Sequence, residues 1–165
     1  FAPVKKTPTE YIIQKATELG VSKILPIITE RTITKSLNLK RFQDIAIEAS
    51  EQCERITIPE IFPLQKLYDV IDDWIEKTPI YFGDETMRHY KQSSKNSNKL
   101  INASCGAVLI GPEGGFTMKE ISYLRQKKFV IPINFGPRIL KSDTAVVTAL
   151  VYWHTLNGDM KNSFY

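Results

Sequence analysis

Apolar positions along this chain alternate between two arrangements: short unbroken runs, and stripes spaced by three and four residues. The runs include Ile24-Leu25-Pro26-Ile27-Ile28, Pro79-Ile80-Tyr81-Phe82-Gly83, Ala107 to Ile110 and Val130 to Phe135. Bounded by turn residues, such runs predict buried strands. A short first strand is also expected over residues 1–4, another over 21–29 with Pro26 at its beginning or on an edge, and a further one within 56–63. The stripes predict helices. One carries Ile12, Ala16 and Leu19, and a second Leu39, Phe42, Ala46, Ala49 and Cys53. A third, over residues 64–77, carries Leu67, Val70, Ile71 and Trp74. Two more are expected over 117–128 and 143–156.

Local signals sharpen several boundaries. Thr7-Pro8-Thr9-Glu10 predicts a helix start with Thr7 as cap, Pro8 in the first helical position and Glu10 reaching back. Gly20 predicts a helix stop. Thr117-Met118-Lys119-Glu120 spells a second capping box, so a helix should open directly after the glycine-rich segment before it. Residues 29–38, with Arg31 and Lys35, read as a polar, basic loop. Residues 91–102 are rich in Lys, Ser and Asn and read as a surface loop. Strands alternating with helices predict an α/β fold: a mostly parallel sheet with helices on both faces. In such sheets ligands sit beyond the carboxyl ends of the strands.

Two loops fall at such ends. Leu109-Ile110-Gly111-Pro112-Glu113-Gly114-Gly115-Phe116 runs from strand to helix, and so does Phe135-Gly136-Pro137-Arg138-Ile139-Leu140. Neither spells G-x-G-x-x-G, and no Gly-Lys-Ser/Thr follows the first, so neither carries a phosphate-binding signature. Taken alone, each set of glycines is also consistent with a plain tight turn. Together the loops suggest a backbone cradle for one ligand. The last helix carries Ala145, Val146, Val147, Ala149, Leu150, Val151, Tyr152 and Trp153, which leaves almost no polar face. It should be covered on all sides, by a second subunit of a homodimer or by a domain upstream.

The 165 residues, 42% hydrophobic and 24% charged, suit one soluble domain. No apolar run is long enough for a membrane span and no signal peptide is visible. The chain opens on Phe1 rather than Met, so a fragment of a longer protein is expected. Cys53 and Cys105 are far apart and lack nearby ligand partners; they are expected to be buried thiols in a reducing cytoplasm, with no metal site. A net charge of +4 permits a nucleic-acid partner without demanding one. His89, in a loop, and His154, expected as a satisfied core residue, offer no catalytic pattern.

Four segments occur in the order and spacing of one family. They are Lys15-Ala16-Thr17-Glu18-Leu19-Gly20-Val21, Glu51-Gln52-Cys53-Glu54-Arg55, the stretch from Leu109 to Phe116, and that from Phe135 to Ala145. Over nearly its whole length the chain resembles the catalytic domain of the RsmE family, ribosomal RNA small subunit methyltransferases of the SPOUT class. The resemblance implies S-adenosylmethionine-dependent methylation of N3 of one uridine in 16S ribosomal RNA of the small subunit. It also implies a homodimer, a cytoplasmic location and a C-terminal deep trefoil knot, which periodicity alone never reveals. The resemblance implies an N-terminal PUA-like RNA-binding domain in the family, which is expected to be absent from this chain.

On that resemblance the expected cofactor residues are Gly83, Ile110, Gly111, Gly114, Gly115, Phe135, Gly136, Ile139, Leu140 and Thr144. S-adenosylmethionine has a sulfonium, an adenine and an amino-acid tail but no phosphate. Its site needs close backbone approach and apolar walls, which the glycines and Ile110, Phe135 and Ile139 would supply. The expected catalytic residues are Arg55, Glu113, Arg138 and Asp143. Uridine N3 must lose its proton before it attacks, so a base or a stabiliser of the anion is needed. Glu113 and Asp143 are the candidate bases; Arg55, Arg138 and Lys141 are the candidate stabilisers. The alternative for Glu113 is bonding to its own loop, and for Arg55 a pair with Glu51 or Glu54. Where the family shows Arg-Thr-Glu-Thr-Ala, this chain has Lys141-Ser142-Asp143-Thr144-Ala145, and a lysine cannot make a planar two-pronged bond. The remaining alternatives are a SPOUT enzyme for another RNA, a non-catalytic RNA- or cofactor-binding module, and an unrelated nucleotide-binding protein.

Overall fold

The computed structural model describes residues 1–75, 78–87 and 104–162; His89 and the basic loop at 91–102 lie outside the described residues. Among the described residues seven strands pair, all in parallel, in three small sheets. β1 (Lys23–Ile24) lies beside β3 (Glu60–Ile61), and β2 (Ile27–Ile28) beside β4 (Gln65–Lys66). β5 (Ile80–Gly83) is central, with β6 (Ala107–Leu109) on one side and β7 (Val130–Ile133) on the other. The expected strand over 21–29 is thus split in two. Pro26 lies at the break, where it has no N–H to give the ladder, and Pro63 interrupts the facing strand in the same way. The first residues join these sheets: Ile27 N–H donates to Phe1 O at 2.9 Å, and Ala2 N–H to Ile110 O at 2.9 Å.

Helices cover both faces because strand side chains alternate. Ile110 packs with α1 (Lys6–Glu18), α2 (Leu39–Gln52) and α5 (Ser142–Asn157), among Ile12, Ile13, Phe42, Ala46 and Val146. Its neighbour Leu109 faces the other way, with Ile80 and Phe82, toward α3 (Leu67–Asp72) and α4 (Met118–Gln126). Gly20, at φ +82°, ends α1: Gly20 N–H reaches Thr17 O and Val21 N–H reaches Ala16 O, the paired bonds of a Schellman motif. The capping box at Thr117 and Glu120 is complete.

Four local expectations are corrected. The N-cap of α1 is Lys5, without a side-chain bond, and Thr7 lies inside the first turn; Thr9 Oγ1 instead accepts Val4 N–H at 3.0 Å. The helix expected over 64–77 is only Leu67–Asp72 among the described residues, because Gln65 and Lys66 are drawn into pairing with β2. Both cysteines are exposed. Cys53 caps the end of α2, beyond the buried stripe, and Cys105 lies in a bend before β6. Residues 1–4 form no strand, although their backbone bonds to the neighbouring sheets; His154 is largely buried, as expected, with its Nδ1 2.8 Å from exposed Asp159. No helix among the described residues is long and apolar enough to cross a membrane.

Candidate functional site

Parallel pairing brings the carboxyl ends of β5, β6 and β7 to one edge of the sheet, and a cleft of about 670 Å³, counted out to its open mouth, lies there. Its floor and walls are apolar: Phe82, Ile110, Phe116, Ile121, Ile133, Phe135 and Leu140. Ile139 lines the mouth with 63% of its surface exposed.

Each wall is braced from behind. Asp84, next after β5, is almost wholly buried; its carboxylate accepts Thr86 N–H at 3.0 Å and Arg125 Nε–H at 2.9 Å. That pair fixes the turn carrying Glu85 to α4. Asn134 accepts Gly136 N–H at 2.7 Å and donates to Met87 O at 3.0 Å, which holds the second glycine loop against the β5 exit. Ser142 Oγ–H donates to Gly111 O at 2.9 Å and ties the two loops together.

The glycines serve different ends. Gly115 (φ +67°) and Gly136 (φ +96°) occupy the left-handed region. A Cβ on Gly115 would also collide with the Glu85 carboxylate, whereas one on Gly136 would meet nothing. Gly111 must be small because the Phe116 ring lies beneath it, where a Cβ would come within 2.8 Å. At Gly83 the close neighbours would be Ile110 at 2.9 Å and Phe135 at 3.2 Å, both walls of the cleft.

Of the residues expected from sequence, Gly83, Ile110, Gly111, Gly115, Phe135, Gly136, Arg138, Ile139 and Leu140 line the cleft together. Gly114 and Glu113 stand outside it on the rim, both exposed. Thr144 and Asp143 belong to the first turn of α5, where Asp143 Oδ1 accepts Thr144 N–H at 2.7 Å. Arg55 lies elsewhere. Its Nη1 donates to Thr17 O at 2.8 Å and its Nε to Thr57 Oγ1 at 3.1 Å, and it pairs with neither Glu51 nor Glu54. Thr17 is near the end of α1, and the adjoining Gly20 packs against His154 at the far end of α5 from the cleft.

Sequence reading missed Asp84, Glu85, Asn134 and Ser142 as cleft residues, and Arg31 and Glu120 as its supports. Ser142 lies within a quoted motif and Asn134 adjoins one, but Asp84 and Glu85 come into range only through the pairing of β5 with β6 and β7. Glu120 carries a signal, its capping box, though nothing local shows its second bond, from Glu30 N–H at 2.8 Å. Among the described residues no cluster of His, Cys, Asp or Glu could hold a metal ion.

A model of the family described as RNA methyltransferase domain matches residues 1–154. The ribosomal RNA small subunit methyltransferase E of Rickettsia conorii is 33% identical over 155 residues, covering 90% of this chain and 60% of the relative. That of Buchnera aphidicola subsp. Schizaphis graminum is 35% identical over 164 residues, covering 94% and 63%. The chain therefore spans under two thirds of the length of these curated relatives. Among solved structures, the small subunit methyltransferase E of Neisseria gonorrhoeae bound to S-adenosyl methionine superposes with a TM-score of 0.82 at 29% identity, over 96% of this chain and 65% of that one.

Proposed function

This chain belongs to the RNA methyltransferase domain family, and on that premise we propose that it methylates N3 of a uridine in 16S ribosomal RNA with S-adenosylmethionine as donor. One observation carries the donor assignment: the cleft joins apolar walls to a carboxylate without a partner among the described residues. Glu85 lines the cleft and makes no hydrogen bond or ion pair among the described residues. A phosphate ligand would be repelled there, while a sulfonium or ammonium would be attracted. The exposed Ile139 and the walls Ile110, Phe135 and Leu140 suit an adenine, with backbone at Arg138 to Leu140 for its polar edge. These residues fit the donor. When bound, it supplies an electrophilic methyl group.

The rest is work for the chain's own residues. Gly115 and Gly111 bring main chain close to the ligand, and Arg138, a cation lining the cleft, is assigned the stabilisation of the uridine anion. Between the two candidate bases, Asp143 is committed to the Thr144 amide. Glu113 has no partner among the described residues and stands on the rim, so we assign it the N3 proton. Arg55 and Thr144 do not line this cleft. The threading of residues 111–142 as a deep trefoil knot, with residues 1–165 as one SPOUT domain, belongs to the same reading; the bond from Ser142 to Gly111 supports close passage of the two loops. So does a homodimer through α5, where Tyr152 leaves 41% of its surface exposed beside Val147, Val151 and Trp153.

The test is methyl transfer. The full chain, given labelled S-adenosylmethionine and unmethylated small ribosomal subunits, should label 16S RNA at N3 of a single uridine. Label on another base or another RNA would replace the substrate; no transfer, with donor bound, would leave a binding module.

A further inference from the structure

Outside the cleft, one exposed cation is fixed in place by the glycine loop. Arg31 follows β2, and its Nη1 donates to Gly114 O at 2.7 Å. Buried Glu120 sets this geometry from below: Oε1 takes Glu30 N–H at 2.8 Å and Oε2 takes Thr117 N–H at 2.8 Å. The residue before Arg31 and the residue that ends the glycine loop are therefore bound to one carboxylate. The Arg31 stem lies along Gly114, where a Cβ would meet its Cδ at 3.4 Å. Glu30, the nearest acid in sequence, pairs with Lys119 at 3.9 Å and not with Arg31. A guanidinium has five N–H donors, and one is used here. The others are unpaired among the described residues, on an exposed side chain at the rim.

We propose that Arg31 binds a phosphate of the RNA substrate beside the target uridine, while its bond to Gly114 holds the glycine loop in register with the docked strand. This rests on the RNA methyltransferase reading above and adds to it a residue for the substrate. A planar fork suits that double task, because one prong can stay on the carbonyl while the rest meet a phosphate. Phosphate contacts of this kind position a nucleic acid without reading its sequence.

The test compares the full chain with Arg31→Ala and Arg31→Lys. Calorimetry measures S-adenosylhomocysteine binding, titration with 16S ribosomal RNA at several salt concentrations gives affinity and its salt slope, and steady-state kinetics gives kcat and KM for RNA. Loss of one single-strand phosphate contact should weaken RNA binding roughly five- to tenfold at low salt and flatten the log–log salt slope by about 0.7. KM for RNA should rise by more than kcat falls, and the loss of RNA affinity should exceed the loss of S-adenosylhomocysteine affinity. Arg31→Lys should restore the slope but not the full affinity. An unchanged slope in Arg31→Ala, or a loss confined to S-adenosylhomocysteine binding, overturns the assignment and leaves Arg31 a tether. So does a parent chain that binds no RNA. A parent that binds RNA but not S-adenosylhomocysteine refutes the methyltransferase reading instead, and the salt slopes still decide the case of Arg31.

Discussion

Glu120→Ala should lower stability by about 3 kcal/mol, which for a domain of this size is a fall in Tm of roughly 6–12 °C. The Glu120 side chain is completely buried, yet every neighbour it bonds is a donor. Oε2 accepts Thr117 N–H at 2.8 Å and Thr117 Oγ1–H at 3.2 Å, and Oε1 accepts Glu30 N–H at 2.8 Å. Truncation removes the Glu120 half of the capping box, while the bond from Glu120 N–H to Thr117 Oγ1 stays. It also leaves two backbone donors without partners, at roughly 1–3 kcal/mol for each that water does not reach. Glu120→Gln keeps the shape but sets an amide NH2 where an oxygen accepted, so an intermediate loss is expected. Thermal and denaturant unfolding measure both variants. A loss below about 1 kcal/mol in Glu120→Ala would mean that the loop after β2 and the glycine loop do not depend on this carboxylate.

The second large effect separates two adjacent glycines. Gly115→Ala should reduce S-adenosylhomocysteine affinity by about tenfold or more and cost roughly 1–2 kcal/mol in stability, since an alanine at φ +67° bears the left-handed penalty. Its methyl group would also displace the Glu85 carboxylate from the cleft wall. Gly114→Ala has neither problem. Its backbone is outside the left-handed region, its nearest neighbour would be Arg31 Cδ at 3.4 Å, and its stability should stay within about 0.5 kcal/mol of the parent. Calorimetry and thermal unfolding of the pair measure the contrast. Equal effects at both positions would show that the loop's shape is not set by Gly115.

What the sequence made legible was local or periodic. The capping box at Thr117 and the stop at Gly20 depend on residues within one turn, and both formed. The alternation that sends Leu109 to one face and Ile110 to the other needs only a strand. Nine of the cleft residues stood in the two glycine loops or ended a strand, so their assembly followed once the strands were parallel. What was not legible depended on partners distant in sequence. Asp84 reaches Arg125 across 41 positions, and Glu30 reaches Glu120 across 90. Arg55 had two acids close in sequence, yet a carbonyl from α1 took its guanidinium. Thr7 had the right neighbours for a cap, but Val4 drew its bond from Thr9, and the helix began earlier.

The central claim is that both glycine loops close on one methyl donor. A crystal structure of the chain with S-adenosylhomocysteine tests it directly. The account places the ligand between Gly111–Gly115 and Asn134–Leu140, with Ile139 folded over the adenine and Glu85 nearest the positively charged amino-acid end. Ligand found elsewhere on the molecule, with this cleft empty, would contradict it.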